Sequence, residues 1–207
     1  MTFLISAGAV QLEASLRKPE GEPQGAVVVC HPHPVYGGTM DNRVVYRASR
    51  AAASAGFTAL RFNFRAVGKS SGQFDHGMGE KEDVRAAIRW LEERYRGLDL
   101  AVIGYSFGAW VGLQVASADP RIKLMTGLAL PLDLYDFGFL DVCPKPALYV
   151  IGTRDEFCSA EKLDLLAAQL PATATLHKIE GSDHFFSGHI EAVQDLITDF
   201  FSKRGRS

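Results

Sequence analysis

Ser106, Asp155 and His184 are the residues of this 207-residue chain whose types and order could carry out chemistry on an acyl carbon. Ser106 is the centre of Gly104-Tyr105-Ser106-Phe107-Gly108, which follows the apolar run Leu98 to Ile103 and precedes the helix-compatible stretch Ala109 to Ala116. A strand, a sharp turn and a helix with serine at the apex form a nucleophile elbow, which pushes the hydroxyl out over the edge of a sheet. The flanking glycines fit a place where a Cβ would collide with closely approaching backbone. A serine hydroxyl is a weak nucleophile, so it needs a general base, and the base needs a carboxylate to orient it. In Gly-x-Ser-x-Gly sheet proteins these follow in the order Ser, acid, His. Asp155 lies in Gly152-Thr153-Arg154-Asp155-Glu156 after one apolar run, and His184 lies in Glu180-Gly181-Ser182-Asp183-His184-Phe185-Phe186 after another. Glu156 and Asp183 are the rivals for the acid. Glu156 would point elsewhere, and Asp183 adjoins the histidine too closely in sequence to reach its ring well.

The same chemistry requires two backbone N–H groups for a tetrahedral oxyanion, each contributing roughly 3–4 kcal/mol. Phe107, the residue after the serine, is one donor. The other is expected in His31-Pro32-His33-Pro34-Val35-Tyr36-Gly37-Gly38. Neither Pro32 nor Pro34 has an N–H, which leaves His33 as first choice and Val35 as second. His31-x-His33 lacks a third ligand at convincing spacing, so no metal is expected. Gly68-Lys69-Ser70 invites a phosphate-loop reading, but that motif needs glycine where Asn63 stands. Arg65 to Gly72 is instead expected to form a rigid loop near the site. Cys30 and Cys158 read as unreactive thiols. Tyr36, Tyr105, Phe107, Trp110, Phe157 and Phe185 could line an acyl pocket or simply pack.

The elements that must position these residues follow from hydrophobic periodicity. The opening residues Met1 to Ile5 and the alternating Val10 to Leu16 read as strands, and these first strands are expected to be antiparallel, with Pro19 to Gly25 closing a hairpin-like connection. The continuously apolar run Ala26 to Cys30 fits a strand covered on both faces. A helix around Arg43 to Ala55 stopped by Gly56, a strand Phe57 to Phe64 and a helix Glu80 to Tyr95 come next. After the elbow helix, Leu124 to Leu130 and Ala147 to Ile151 read as buried strands. Helix Ser159 to Leu170, strand Thr173 to Ile179 and helix Ile190 to Phe201 complete the chain. This alternation predicts an α/β fold, a doubly wound, mainly parallel central sheet with helices on both faces, as one domain over 1–207. Such sheets bind ligands at the carboxyl ends of their strands, where the loops above lie.

The 22 basic and 24 acidic residues, net charge -2, make no broad basic field for nucleic acid or anionic lipid. The tail Lys203-Arg204-Gly205-Arg206 is too short to change this. Three cysteines without a paired Cys-x-x-Cys spacing suggest neither a disulfide framework nor a zinc knuckle, and favour a reducing, cytoplasmic setting. The apolar start lacks a positively charged leader, and no stretch approaches the ~20 apolar residues of a membrane span.

The residues together resemble the α/β-hydrolase superfamily over nearly the whole chain. His31-Pro32-His33-Pro34 with Gly37-Gly38-Thr39-Met40-Asp41-Asn42, then Arg61-Phe62-Asn63-Phe64-Arg65 and His184-Phe185-Phe186, are similar to small bacterial serine hydrolases related to the dienelactone-hydrolase branch. Many members carry His-Gly-x-Pro in the first loop, with the residue after glycine giving the oxyanion N–H, and that pattern puts His33 in the donor place. Three departures stand out. Ala66 replaces a common glycine, Ser106 replaces the cysteine of true dienelactone hydrolases, and Pro131 to Pro146 is too short for a helical lid. The resemblance therefore implies a serine hydrolase without a large cap domain. It would act on a small-molecule ester or thioester through Ser106, His184 and Asp155, with Phe107 and His33 as oxyanion donors and no cofactor. A serine peptidase and a non-catalytic binding module on the same fold are the alternatives.

Overall fold

The computed structural model describes residues 1–204, so Gly205 and Arg206 of the basic tail lie outside the described residues. Eight strands form one sheet: β1 (Thr2–Ala7), β2 (Val10–Arg17), β3 (Gly25–Cys30), β4 (Phe57–Phe62), β5 (Asp99–Tyr105), β6 (Ile122–Leu128), β7 (Ala147–Gly152) and β8 (Ala174–Ile179). Their spatial order is β1-β2-β4-β3-β5-β6-β7-β8. β1 and β2 pair antiparallel, β2 pairs antiparallel with β4, and every other pairing is parallel. The five helices are α1 (Arg43–Ser54), α2 (Met78–Arg94), α3 (Phe107–Ala118), α4 (Ala160–Gln169) and α5 (Ile190–Ser202).

The run Pro19 to Gly25 does not close a hairpin. The hairpin turn lies earlier, between β1 and β2, where Gly8 takes a positive φ of 68°. The later stretch carries the chain past β4 to β3, which has no pairing with β2. β3 is buried along its whole length, so it needs a strand on each edge and a helix layer on each face. β4 and β5 supply the edges.

Alternation along the central strands divides the core in two. Val27 and Val29 face a layer with Val44, Val45 and Ala48 of α1 and Val193, Ile197 and Phe201 of α5. Val28 and Cys30 face the opposite layer, with Val84, Ile88 and Leu91 of α2, Val111 and Leu113 of α3 and Leu163 and Leu166 of α4. Burying a large aliphatic side chain in such a layer contributes about 1.5–3 kcal/mol. Both faces of the sheet are therefore closed, and the loops at the carboxyl ends of the parallel strands stay free to carry chemistry. Between β6 and β7 the chain forms only turns and one 3-10 turn, Gly138–Leu140, with no lid.

Candidate active site

Ser106 stands between β5 and α3 with φ 57° and ψ -122°, a conformation costly for a residue with a Cβ. Close packing enforces it. A Cβ on Gly104 would lie 2.4 Å from Ala109 Cα, and one on Gly108 would lie 2.4 Å from the His31 carbonyl oxygen. The Ser106 N–H is tied to the Leu128 carbonyl of neighbouring β6 at 2.9 Å. The two glycines thus let the strand, the helix and the loop after β3 meet at one point, with the hydroxyl at the apex.

Sequence places Asp155 and His184 far from Ser106, and the parallel sheet brings all three together. Asp155 follows β7 and His184 follows β8. His184 Nε2 lies 2.9 Å from Ser106 Oγ, and His184 Nδ1 lies 2.9 and 2.8 Å from the two carboxylate oxygens of Asp155. A carboxylate only accepts, so the imidazole proton sits on Nδ1 and leaves Nε2 free to take the serine hydroxyl hydrogen. Both Asp155 and His184 are buried, which keeps competing water from this line.

The two rival acids have other tasks. Asp183 Oδ1 accepts the N–H groups of Phe185 and Ser187 at 3.1 and 2.9 Å, and these bonds hold its carboxyl below its ordinary range. It shapes the turn that carries the histidine. Glu156 Oε2 faces the His184 backbone N–H at 3.4 Å, away from the ring. Gly152 lets the acid loop touch the histidine loop, since a Cβ there would lie 2.2 Å from the Ser182 carbonyl oxygen.

Tyr105 is a residue whose task the sequence did not reveal. Instead of lining a pocket it is fully buried, and its hydroxyl donates to the His184 carbonyl at 3.1 Å. A buried tyrosine directly before the serine, in a strand otherwise aliphatic, was the available signal. Burial pushes its phenol pKa up, so it remains a donor. Phe107 is also buried, against Phe64 and His33. Trp110 stacks on Tyr135 at 4.3 Å, and Phe157 and Phe185 lie edge-on to the His184 ring. Tyr36 and Phe185 are exposed.

Phe107 is the first residue of α3, so its N–H has no acceptor within the helix. The loop after β3 lies beside it, with the His33 and Phe107 rings 4.8 Å apart. Within that loop Val35 N–H donates to His33 Nδ1 at 3.2 Å, while Tyr36 and Gly38 N–H groups donate to the His33 carbonyl. His31 is fully buried and uses both ring nitrogens. Nε2 accepts the Phe64 N–H at 3.0 Å, so the proton sits on Nδ1 and is donated to the Pro32 carbonyl at 2.6 Å. Burial, the main cause, pushes the His31 pKa down to about 4 and keeps the ring neutral.

Arg65 to Gly72 forms a braced turn. Arg65 grips Asp83 of α2 through its guanidinium at 2.8 Å and its N–H at 2.9 Å. Ser70 Oγ donates to the Asn63 carbonyl and accepts the Glu13 N–H, while Lys69 points to solvent. All three cysteines are free and buried, and desolvation pushes the Cys158 pKa up to about 12 and that of Cys30 higher still. Among the described residues no group of three or more His, Cys, Asp or Glu side chains is arranged to hold a metal ion, and no helix is long and apolar enough to cross a membrane.

The family model described as X-Pro dipeptidyl-peptidase (S15 family) matches residues 8–170. Among solved structures, an α/β serine hydrolase homologue from Coxiella burnetii is 35% identical, with a TM-score of 0.90 and 96% of each chain covered. An α/β serine hydrolase without lid from Xanthomonas campestris is 30% identical, with a TM-score of 0.87, covering 98% of this chain and 94% of that one. A thiohydrolase of Arthrinium phaeospermum is 27% identical over 161 residues, 73% of this chain and 45% of that protein. The chain thus belongs to the S15 family, within the α/β serine hydrolases.

Proposed function

We propose that this protein cleaves carboxylic esters or thioesters through an acyl-enzyme intermediate. The observation that carries the reading is the unbroken hydrogen-bonded line from Asp155 through His184 to Ser106. Ser106 Oγ attacks the acyl carbon while His184 Nε2 takes its proton, and the imidazolium then protonates the leaving oxygen or sulfur. Asp155 holds the imidazole tautomer and balances its charge. The N–H groups of Phe107 and His33 receive the oxyanion. His33 is preferred to Val35 because the Val35 N–H is already engaged. Water activated by His184 then hydrolyses the acyl-enzyme. This scheme uses no metal or cofactor, acts on a small molecule, and resides in one domain over 1–207, in the cytoplasm. The likeness to a thiohydrolase supports the thioester arm.

A serine peptidase is the second reading, favoured by the description of the matching family model. Turnover of a p-nitrophenyl butyrate ester, a butyryl thioester and an X-Pro p-nitroanilide, measured side by side, separates the two. Ester or thioester turnover is expected to dominate, and Ser106→Ala to lower it by at least ~10⁴-fold. Turnover of the anilide alone would replace the ester reading with the peptidase one. Failure of a fluorophosphonate probe to label Ser106 would leave only a binding module.

A further inference from the structure

The motif Arg61-Phe62-Asn63-Phe64 has no part in the scheme above, yet Arg61 Nη1, Asn63 Oδ1 and the Phe64 N–H all bond the loop that carries His33. Arg61 Nη1 donates to the Met40 carbonyl at 2.7 Å and to Asp41 Oδ1 at 3.0 Å. Asn63 Oδ1 accepts the Met40 N–H at 2.8 Å, and the Phe64 N–H holds His31. The Asn63 amide cannot turn over, because its Nδ2 donates to the buried Glu13 carboxylate at 2.9 Å. The N–H and the C=O of Met40 are therefore both gripped from the end of β4, on the returning limb of the loop, while His31 is gripped on the outgoing limb.

Two contacts carry this grip to the oxyanion donor. Gly38 lies against the Pro32 carbonyl so closely that a Cβ would stand 2.1 Å from its oxygen, and the His31 Nδ1–H bonds that same oxygen. In a planar trans peptide the carbonyl and the N–H point in opposite directions, so fixing the Pro32 oxygen fixes the direction of the His33 N–H. Met40 sits two residues beyond Gly38 and is itself buried. We infer that Arg61 and Asn63, with Glu13 behind Asn63, are positioning residues that hold the His33 N–H in place for the oxyanion. This rests on the acyl-enzyme reading and adds to it which side chains set the geometry of its second donor.

The test compares wild type with Asn63→Asp, which keeps the acceptor for Met40 but sets a second carboxylate against Glu13, and with Arg61→Gln. Fluorophosphonate labelling and ester turnover of the wild type come first, and a wild type that fails both ends the acyl-enzyme reading itself. Given an active wild type, both variants are expected to lose about 10- to 100-fold in kcat, a part of what losing one whole oxyanion donor costs. KM should stay within about twofold, since the ground-state carbonyl gains little from the N–H. Affinity for a trifluoromethyl ketone, which forms a tetrahedral adduct, should fall in parallel with kcat/KM. A folded variant with unchanged kcat, or a loss confined to KM with ketone affinity intact, overturns the inference while leaving the acyl-enzyme reading standing. If Asn63→Asp does not fold, Arg61→Gln decides alone by the same readouts.

Discussion

The hydroxyl of Tyr105 donates to the backbone carbonyl of His184 at 3.1 Å, so the residue directly before Ser106 holds the loop that carries its partner. The separation of serine and histidine is thereby fixed from both ends, by the hydrogen bond between their side chains and by this bond one residue back. Tyr105→Phe keeps the ring packing and leaves the His184 carbonyl unpaired. Chemical denaturation should show a loss of about 1–2 kcal/mol. Ester kcat should drop about tenfold, well short of the ~10²-fold that a full ångström of misplacement costs. An unchanged kcat would remove Tyr105 from the alignment of the site.

The elbow stores backbone strain in Ser106, whose φ of 57° is paired with ψ of -122°. Glycine adopts such angles freely, at the expense of a looser unfolded chain. Ser106→Gly should therefore be inactive and more stable than wild type by about 1 kcal/mol. A lower midpoint than that of Ser106→Ala in thermal melts would argue that the turn carries little strain.

His31 couples stability to pH. Its pKa falls from the ordinary 6.5 to about 4 on folding, so between these values the unfolded chain binds the proton and the folded one does not. The stability that comes from holding this ring neutral is full above pH 6.5 and declines as pH falls toward 4, by roughly 3 kcal/mol in all. Urea denaturation at pH 7, 5.5 and 4 should show this slope in the wild type and a flatter one in His31→Gln. Parallel slopes would mean that the acid sensitivity lies elsewhere.

Ala66 has φ 63° on an exposed turn, where a Cβ costs about 1–2 kcal/mol. Ala66→Gly should raise stability by about 0.5–1 kcal/mol after the entropy of the freer unfolded chain is deducted. Ester kinetics should stay within about twofold, because the turn is braced through Arg65, Ser70 and the Ala66 N–H, which glycine keeps, and not through the Ala66 side chain.

Much of this arrangement was legible in the residues because each element announces itself locally. The apolar runs ending at Cys30, Ile103 and Ile151 read as buried strands, and the order of serine, acid and histidine at strand ends points to Ser106, Asp155 and His184. What escaped was the long-range polar wiring. Nothing near Tyr105 in sequence says that its hydroxyl will meet residue 184, and nothing near Asn63 says that its amide will span Glu13 and Met40. The hairpin was misplaced for a related reason. Pro19 to Gly25 has turn composition, but which strands become neighbours depends on where β4 inserts, and that is a property of the whole sheet.

The short chain between β6 and β7 has a kinetic consequence. With no cover to swing aside, the approach to Ser106 is a diffusive step without a conformational one, so the rate of capture should follow solvent viscosity and not the motion of a gate. The same openness works after the first bond is cut. On the proposed acyl-enzyme route, bulk water, at ~55 M, stands next to the acyl group on Ser106 and outcompetes dilute alcohols or thiols, which biases that intermediate toward cleavage over exchange of its acyl group with another acceptor.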